Sequence, residues 1–264
     1  MINVTIGQFV PGDSLLHRLD PRTKVVCVIA TAIAVFIIAS WYEFALLTGF
    51  VFLSMILTGI SAKIFFRGLL SIWLLLAVTF FLQALLTPGE VWFGLGFLKV
   101  TKEGLAGGGQ IFLRLVLLIL IAFLLTLTTS PVNLTAGLES ILAPLRRVGV
   151  PTHELAMMMT IALRFVPTLL NEADKIAKAQ RSRGAGFGSG GAMDRVKGLL
   201  PLFVPLFAGA LRSAEELAVA MEARCYRGGA NRTRMHSLTL KPEDYMTLLI
   251  TFAILAITVW LRYT

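Results

Sequence analysis

Charge is what this 264-residue chain has least of: 15% of its residues are charged, against roughly a quarter in a soluble domain. With 56% hydrophobic residues, that shortage excludes a water-soluble fold and points to an integral membrane protein. Cysteine is almost as scarce. Cys27 lies in an apolar run and Cys225 among basic residues, which argues against a disulfide framework or a zinc site. His17, His153 and His236 are scattered, so a metal site has no support. The chain has no Gly-x-x-x-x-Gly-Lys-Ser/Thr loop to cradle ATP phosphates, no His-Glu-x-x-His and no Gly-x-Ser-x-Gly. Glu215 and Glu216 lie on a polar segment without histidine partners in register. No catalytic residue and no cofactor is therefore assigned to the chain.

The net charge of +9 would suit nucleic acid, but its distribution argues otherwise. Long uncharged runs separate the basic clusters, the pattern of basic loops held on the cytoplasmic side of a membrane. The expected partner is the lipid bilayer, with no nucleic acid. No cleavable signal peptide is expected, because Asp13, His17, Arg18, Asp20, Arg22 and Lys24 precede the first charge-free stretch.

A helix needs about 20 apolar residues to cross the hydrocarbon core. Five stretches suit that length: 25–42, 44–62, 68–89, 104–130 (interrupted by Arg114) and 245–261. Asp20 and Pro21 supply a cap and a first-turn proline for the first span. Trp41 and Tyr42 suit an interfacial turn between the first two. Arg18, Arg22 and Lys24 precede span one, and Lys63 and Arg67 separate spans two and three. The turns at 40–43 and 87–97 carry neither Lys nor Arg, so the N-terminus is expected in the cytoplasm. Arg114 and Arg164 sit near the ends of their apolar runs and are expected to snorkel to the interface rather than line a polar route. Gln83 reads as a helix–helix hydrogen bond.

Residues 131–241 carry most of the charge. A short amphipathic helix is expected over 138–148, ending at Arg146 and Arg147, and a long periodic stretch runs from Pro151 through Arg183. Between Glu154 and Arg164 lie nine uncharged residues, and 198–211 holds fourteen with Pro201 and Pro205. Both runs are too short to span, so these helices are expected to rest in or under the inner leaflet and then leave it. Gly184, Gly186, Gly188 and Gly190 form a glycine-rich hinge between them. Ala210, Ala214 and Ala218 on one helix, and Ala173 and Ala177 on the other, are smooth stripes along which two backbones can approach and cross. Each polar end carries an arginine between small residues: Ser182-Arg183-Gly184 and Ala223-Arg224-Cys225. A basic helix C-terminus is common and gains about 0.3–1 kcal/mol from the helix dipole. Repetition of the arrangement is what points further, to docking on a soluble partner. Met157, Met158 and Met159 suit either gap-filling or an adaptable contact surface.

Four segments together resemble the transmembrane T component of energy-coupling factor (ECF) transporters, importers powered by ABC-type ATPases. They are Ser14-Leu-Leu-His-Arg-Leu-Asp-Pro-Arg-Thr-Lys24, Leu163-Arg-Phe-Val-Pro167, Ala179-Gln-Arg-Ser-Arg-Gly184 and Ala220-Met-Glu-Ala-Arg-Cys-Tyr226. The two arginine-centred triplets are the specific part. In the family they read Ala-Arg-Gly, at the ends of two crossing coupling helices, each seated in a groove of one ATPase subunit. Ser182 and Cys225 depart from that pattern, and Cys225 puts a strict need for glycine at the second site in doubt.

The resemblance implies an all-α integral membrane protein with about five transmembrane helices and a cytoplasmic-side module of crossing coupling helices. Residues 1–130 would hold helices one to four, 131–241 the module, and 242–264 the last helix. It implies a prokaryotic, multi-pass cell-membrane protein with two ABC-type ATPase subunits, identical or paired, that bind ATP and Mg. It also implies a membrane-embedded S component that binds a vitamin or other micronutrient, with Met157, Met158 and Met159 as candidate contacts. A self-contained channel or secondary carrier is the alternative. It would need polar groups lining a mid-membrane path, and the sequence offers few.

Overall fold

The computed structural model describes residues 9–95, 98–183, 192–226, 228 and 238–263. It divides into two compact units, Met1–Ile141 with Ser237–Thr264, and Leu142–His236.

The first unit is a helical bundle: α1 (Leu15–Arg18), α2 (Pro21–Ile37), α3 (Trp41–Thr58), α4 (Ala62–Leu86), α5 (Lys102–Thr128), α6 (Pro131–Leu142) and α9 (Pro242–Tyr263). Its fold is the expected all-α membrane architecture. One small addition is an antiparallel pairing of β1 (Val91–Leu95) with β2 (Leu98–Thr101), between α4 and α5. Local chemistry explains most of the helix ends. The Asp20 side chain accepts the Arg22 backbone N–H at 2.9 Å, with Pro21 in the first turn, so α2 begins as the sequence suggests. Glu43 reaches back one turn to accept the N–H groups of Ala39 and Ser40, at 2.9 and 3.3 Å, and starts α3. Gly59 closes α3 with φ +66, a left-handed conformation that suits glycine. Thr101 accepts the Gly104 N–H at 3.1 Å and donates to the Thr87 carbonyl at 2.8 Å, joining the start of α5 to the end of α4.

Gly104 and Gly108, one turn apart, let α5 lie against the backbone of α4. A Cβ on Gly108 would stand 3.2 Å from the Phe80 carbonyl, and one on Gly104 2.8 Å from that of Ala84. The core gathers Val35 and Ile38 of α2 and its end, Phe44, Leu47 and Val51 of α3, Phe65 of α4 and Leu117 of α5.

One span assignment is corrected. The first apolar run, 25–42, breaks: α2 stops at Ile37, and Trp41 and Tyr42 open α3 instead of closing the first span. The break is held from outside the run. Arg114 of α5 donates to the Ile38 carbonyl at 2.8 Å, Gln110 to that of Ala39 at 3.1 Å, and Arg262 of α9 to that of Ile37 at 2.8 Å. Arg114 therefore caps a helix end. α7 (Thr152–Ser182) is continuous for 31 residues through Pro167 and matches the long periodic stretch expected from Pro151 through Arg183. Among the described residues five helices are long and apolar enough to cross a membrane: Trp41–Thr58, Ala62–Leu86, Lys102–Thr128, Thr152–Ser182 and Pro242–Arg262. α7 joins this group by length and composition, as the least apolar of the five, and α2, at 17 residues, falls just outside it.

The second unit holds a 3-10 segment (Ala143–Val148), α7 and α8 (Ala192–Ala223). The amphipathic helix expected over 138–148 is instead the end of α6 followed by that 3-10 segment, with Pro144 among its first residues. α8 runs through both Pro201 and Pro205.

Candidate partner-docking surface

α7 and α8 lie antiparallel. Near the end of α7, the Gln180 side chain donates to the Pro201 carbonyl at 3.2 Å. Farther back, Glu172 faces Gly209, where an added Cβ would come within 2.6 Å of its carboxylate. Near the start of α7, the Tyr226 hydroxyl meets the Met157 sulfur at 2.9 Å. These pairs step backward along α7 as they step forward along α8. Between the last two lies a cleft of about 390 Å³, with Ile161, Phe165 and Leu169 on one wall and Ala210, Ala214 and Ala218 on the other. The alanine stripe read from the sequence thus faces α7.

An antiparallel pair puts the two arginines at opposite ends. Arg183 follows the last turn of α7, and Arg224 follows the last turn of α8, beside the tied Met157 and Tyr226. At ~1.5 Å per residue, the helix contour from Met157 to Arg183 is about 39 Å. Both arginines are exposed.

The two ends are finished differently. At the first, the Arg183 N–H bonds to the carbonyls of Ala179 and Gln180, at 3.2 and 3.1 Å, and Ser182 Oγ donates to the Lys178 carbonyl at 3.2 Å. Its φ of −87° is ordinary. Gly184 and the other hinge glycines, Gly186, Gly188 and Gly190, lie outside the described residues. At the second, the Tyr226 N–H bonds to the Met221 carbonyl at 3.0 Å and the Cys225 N–H to that of Glu222 at 2.9 Å. Cys225 has φ +58. This pair of bonds around a left-handed residue is a Schellman turn, whose left-handed position is usually glycine. Cysteine fills it here at the cost of Cβ crowding, on the order of 1–2 kcal/mol.

The three methionines separate. Met157 is half-buried and engaged by Tyr226, whereas Met158 and Met159 stand 57% and 49% exposed. Other large apolar side chains of this unit are also uncovered, among them Leu170 at 64%, Phe203 at 61% and Phe207 at 67%. Contiguous apolar surface on this scale marks a face for lipid or protein.

The N-terminal segment Ser14–Lys24 sits far from this chemistry in sequence and does different work. Asp244, 1% exposed, accepts the backbone N–H groups of Asp20 and Lys241, each at 2.8 Å. Lys24 donates to the carbonyls of Thr128 and His17, at 2.9 and 3.2 Å. His17 Nε2 donates to the Val10 carbonyl at 3.0 Å, so in the neutral ring Nδ1 accepts from Ser14 Oγ at 2.6 Å. The segment binds the starts of α2 and α9 to the end of α5. Sequence reading quoted these residues but assigned them no contacts, because their partners lie as much as 224 positions away.

A bundle of long apolar helices with a separate, polar-tipped helix pair defines a multi-pass membrane protein of a transport system. Residues 12–236 match the family described as cobalt transport protein, CbiQ. The chain is 51% identical over 251 residues to the energy-coupling factor transporter transmembrane protein EcfT of Thermosediminibacter oceani, covering 95% of each chain. It is 47% identical over 263 residues to EcfT of Acidaminococcus fermentans, covering 100% of this chain and 98% of that one. With EcfT of Bacillus subtilis it shares 45% over 263 residues and 99% of each chain. The chain belongs to this family, the transmembrane components of energy-coupling factor transporters.

Proposed function

We propose that the chain couples ATP-driven motion of two ATPase subunits to a membrane-embedded substrate-binding S component, for uptake of a vitamin or other micronutrient. ATP and Mg belong to the ATPases and the cargo to the S component; this chain holds neither and performs no catalysis. Arg183 docks one ATPase and Arg224 the other. The observation that carries this reading is the pair of exposed arginines at opposite ends of one antiparallel helix pair. Spacing of about 39 Å gives two soluble subunits separate footholds. A guanidinium offers a planar fork to carboxylate or carbonyl acceptors in a groove, which lysine does not reproduce. The uncovered apolar face with Met158 and Met159 serves the S component. Closing or opening of the ATPase pair would then change the angle of α7 and α8 and tilt the S component.

Taking α2, whose 17 residues reach the short end of the spanning range, as a span with α3, α4 and α5 makes four crossings and puts both the N-terminus and residues 131–241 on the cytoplasmic side. The apolar half of α7 then rests at the inner leaflet, and its charged half, Glu172 to Arg183, leaves it.

The test is copurification with ATPase subunits after Arg183→Glu together with Arg224→Glu. Removing one partner of a desolvated charge pair costs roughly 2–5 kcal/mol, so the double variant should lose the ATPases and transport while remaining in the membrane. Single variants should weaken transport more than assembly. Arg195→Glu and Arg232→Glu, outside the triplets, should change little. Stoichiometric ATPases and full transport in the double variant would reduce the arginines to helix-end charges.

A further inference from the structure

In the first unit a fissure of about 320 Å³ opens between α3 and α9, with α2 and α5 as its floor. The floor is closed core, with Ile121 and Leu124 of α5 at 4% and 8% exposed, and Val51 of α3 beside them is 2% exposed. The rim is open, with Leu53, Met246 and Ile250 at 55%, 69% and 45%. The fissure follows only the first turns of α2 and α9 and the last turns of α3 and α5, from Lys24 to Thr31 and from Phe50 to Leu57. Eight residues at ~1.5 Å each make it about 12 Å deep, within one leaflet of a hydrocarbon core roughly 30 Å thick.

Its walls are more apolar than their composition suggests. Thr31, Ser54, Thr128, Thr247 and Thr251 all donate their hydroxyls to the carbonyl one turn back in their own helix. They therefore need nothing from an occupant. Charge is confined to Lys24 and Glu243, each in the opening turns of its helix and so at the same end of the fissure. Lys24, 8% exposed and near the Asp20 and Asp244 carboxylates, gives two of its ammonium protons to the His17 and Thr128 carbonyls, which leaves one for a ligand. Among the described residues no side chain pairs with the Glu243 carboxylate. Leu15, Leu16 and Leu19 of α1 border the fissure as well.

We infer that this fissure holds one acyl chain of a membrane phospholipid, with the phosphate at Lys24 and a headgroup ammonium at Glu243. An apolar slot with a cation and an anion at one end matches a zwitterionic lipid. A partner helix would need a groove longer than two turns. A free fatty acid would bring its carboxylate toward Glu243 with no ammonium to offset it. The site is independent of the arginine-tipped helix pair and rests only on the chain being a membrane protein.

The test uses a phosphatidylethanolamine carrying a diazirine in one acyl chain, equilibrated into membranes containing the full chain, photolysed, and mapped by peptide mass spectrometry. Adducts should concentrate on Leu53, Leu125 and Met246, roughly tenfold over Trp73 and Leu74, which are exposed on α4 outside the fissure. Even labelling of both sets would overturn the proposal. A photoreactive fatty acid with the same chain should label the fissure less. Equal labelling by the two would remove the headgroup assignment. Leu53→Trp fills the mouth from an exposed position and should abolish fissure adducts while leaving those on α4. Glu243→Gln, also exposed, should erase the preference for the phospholipid; an unchanged preference would count against the assigned ammonium contact.

Discussion

Val35 and Leu47 in the first unit are completely shielded and Phe65 nearly so, while Phe203, Phe207 and Leu170 in the second stand more than half exposed. Among the described residues, Ala156 is the single buried hydrophobic of the second unit. Both units are rich in apolar side chains, so composition does not separate them; what differs is where the partners come from. The first unit turns much of its apolar surface on itself and finishes its helix ends with Asp20, Glu43, Thr101 and Arg114. The second spends its polar contacts tying α7 to α8 and leaves its apolar faces for other molecules. One unit is a scaffold, and the other is a surface waiting for lipid and protein.

The comparison breaks most severely if the arginines do not dock. The double Arg→Glu variant should reduce ATPase retention by two to three orders of magnitude or more, as the 2–5 kcal/mol per lost contact implies. Its thermal unfolding midpoint should be unchanged. Asp244→Ala should do the opposite. It strips the buried acceptor from the Asp20 and Lys241 N–H groups, at about 1–3 kcal/mol for each group left unsatisfied. The unfolding midpoint in detergent should fall while ATPases still bind the protein that stays folded; loss of ATPases with no change in midpoint would erase the distinction between the units.

Tyr226→Phe is a smaller test, confined to the tie between α7 and α8. It should cost about 1 kcal/mol or less, visible as faster hydrogen exchange at the end of α8 with first-unit protection unchanged. The smallest effect is Cys225→Gly. Relief of left-handed strain, about 1–2 kcal/mol, is offset by roughly 0.4–1 kcal/mol of extra unfolded-chain freedom. The helix end should become slightly more protected and docking should persist. A loss of docking would mean that the thiol itself makes a contact.

Much of this division was legible in the residues. The cap at Asp20-Pro21, the Ala210-Ala214-Ala218 stripe and the helix-end arginines Arg183 and Arg224 are local patterns, and each lies where its spacing placed it. The turn at 40–43 was legible, and Ser40-x-x-Glu43 is the capping pattern that starts α3, but the early stop of α2 at Ile37 was not, because the groups that hold it come from α5 and α9. The length of α7 was legible from its periodicity; Glu154, Arg164 and Pro167 punctuate its sequence without interrupting its backbone. The left-handed turn at Cys225 follows from the bonds to Met221 and Glu222, not from the preference of cysteine. Close packing of α5 on α4 could have been found, because Gly104 and Gly108 repeat at one-turn spacing.

α9 meets α2 at both ends, through Asp244 on Asp20 and Arg262 on Ile37. During synthesis the ribosome delivers α2 long before α9. For all the time that the intervening chain is being made, the Asp20 N–H and the Ile37 carbonyl lack these protein partners. The bundle is then a structure with a missing stave, finished by a segment that emerges after α7 and α8 are already complete. A chain stopped before Pro242 would carry both arginines yet lack the partner that closes its scaffold, and a cell's quality control would meet it in that state.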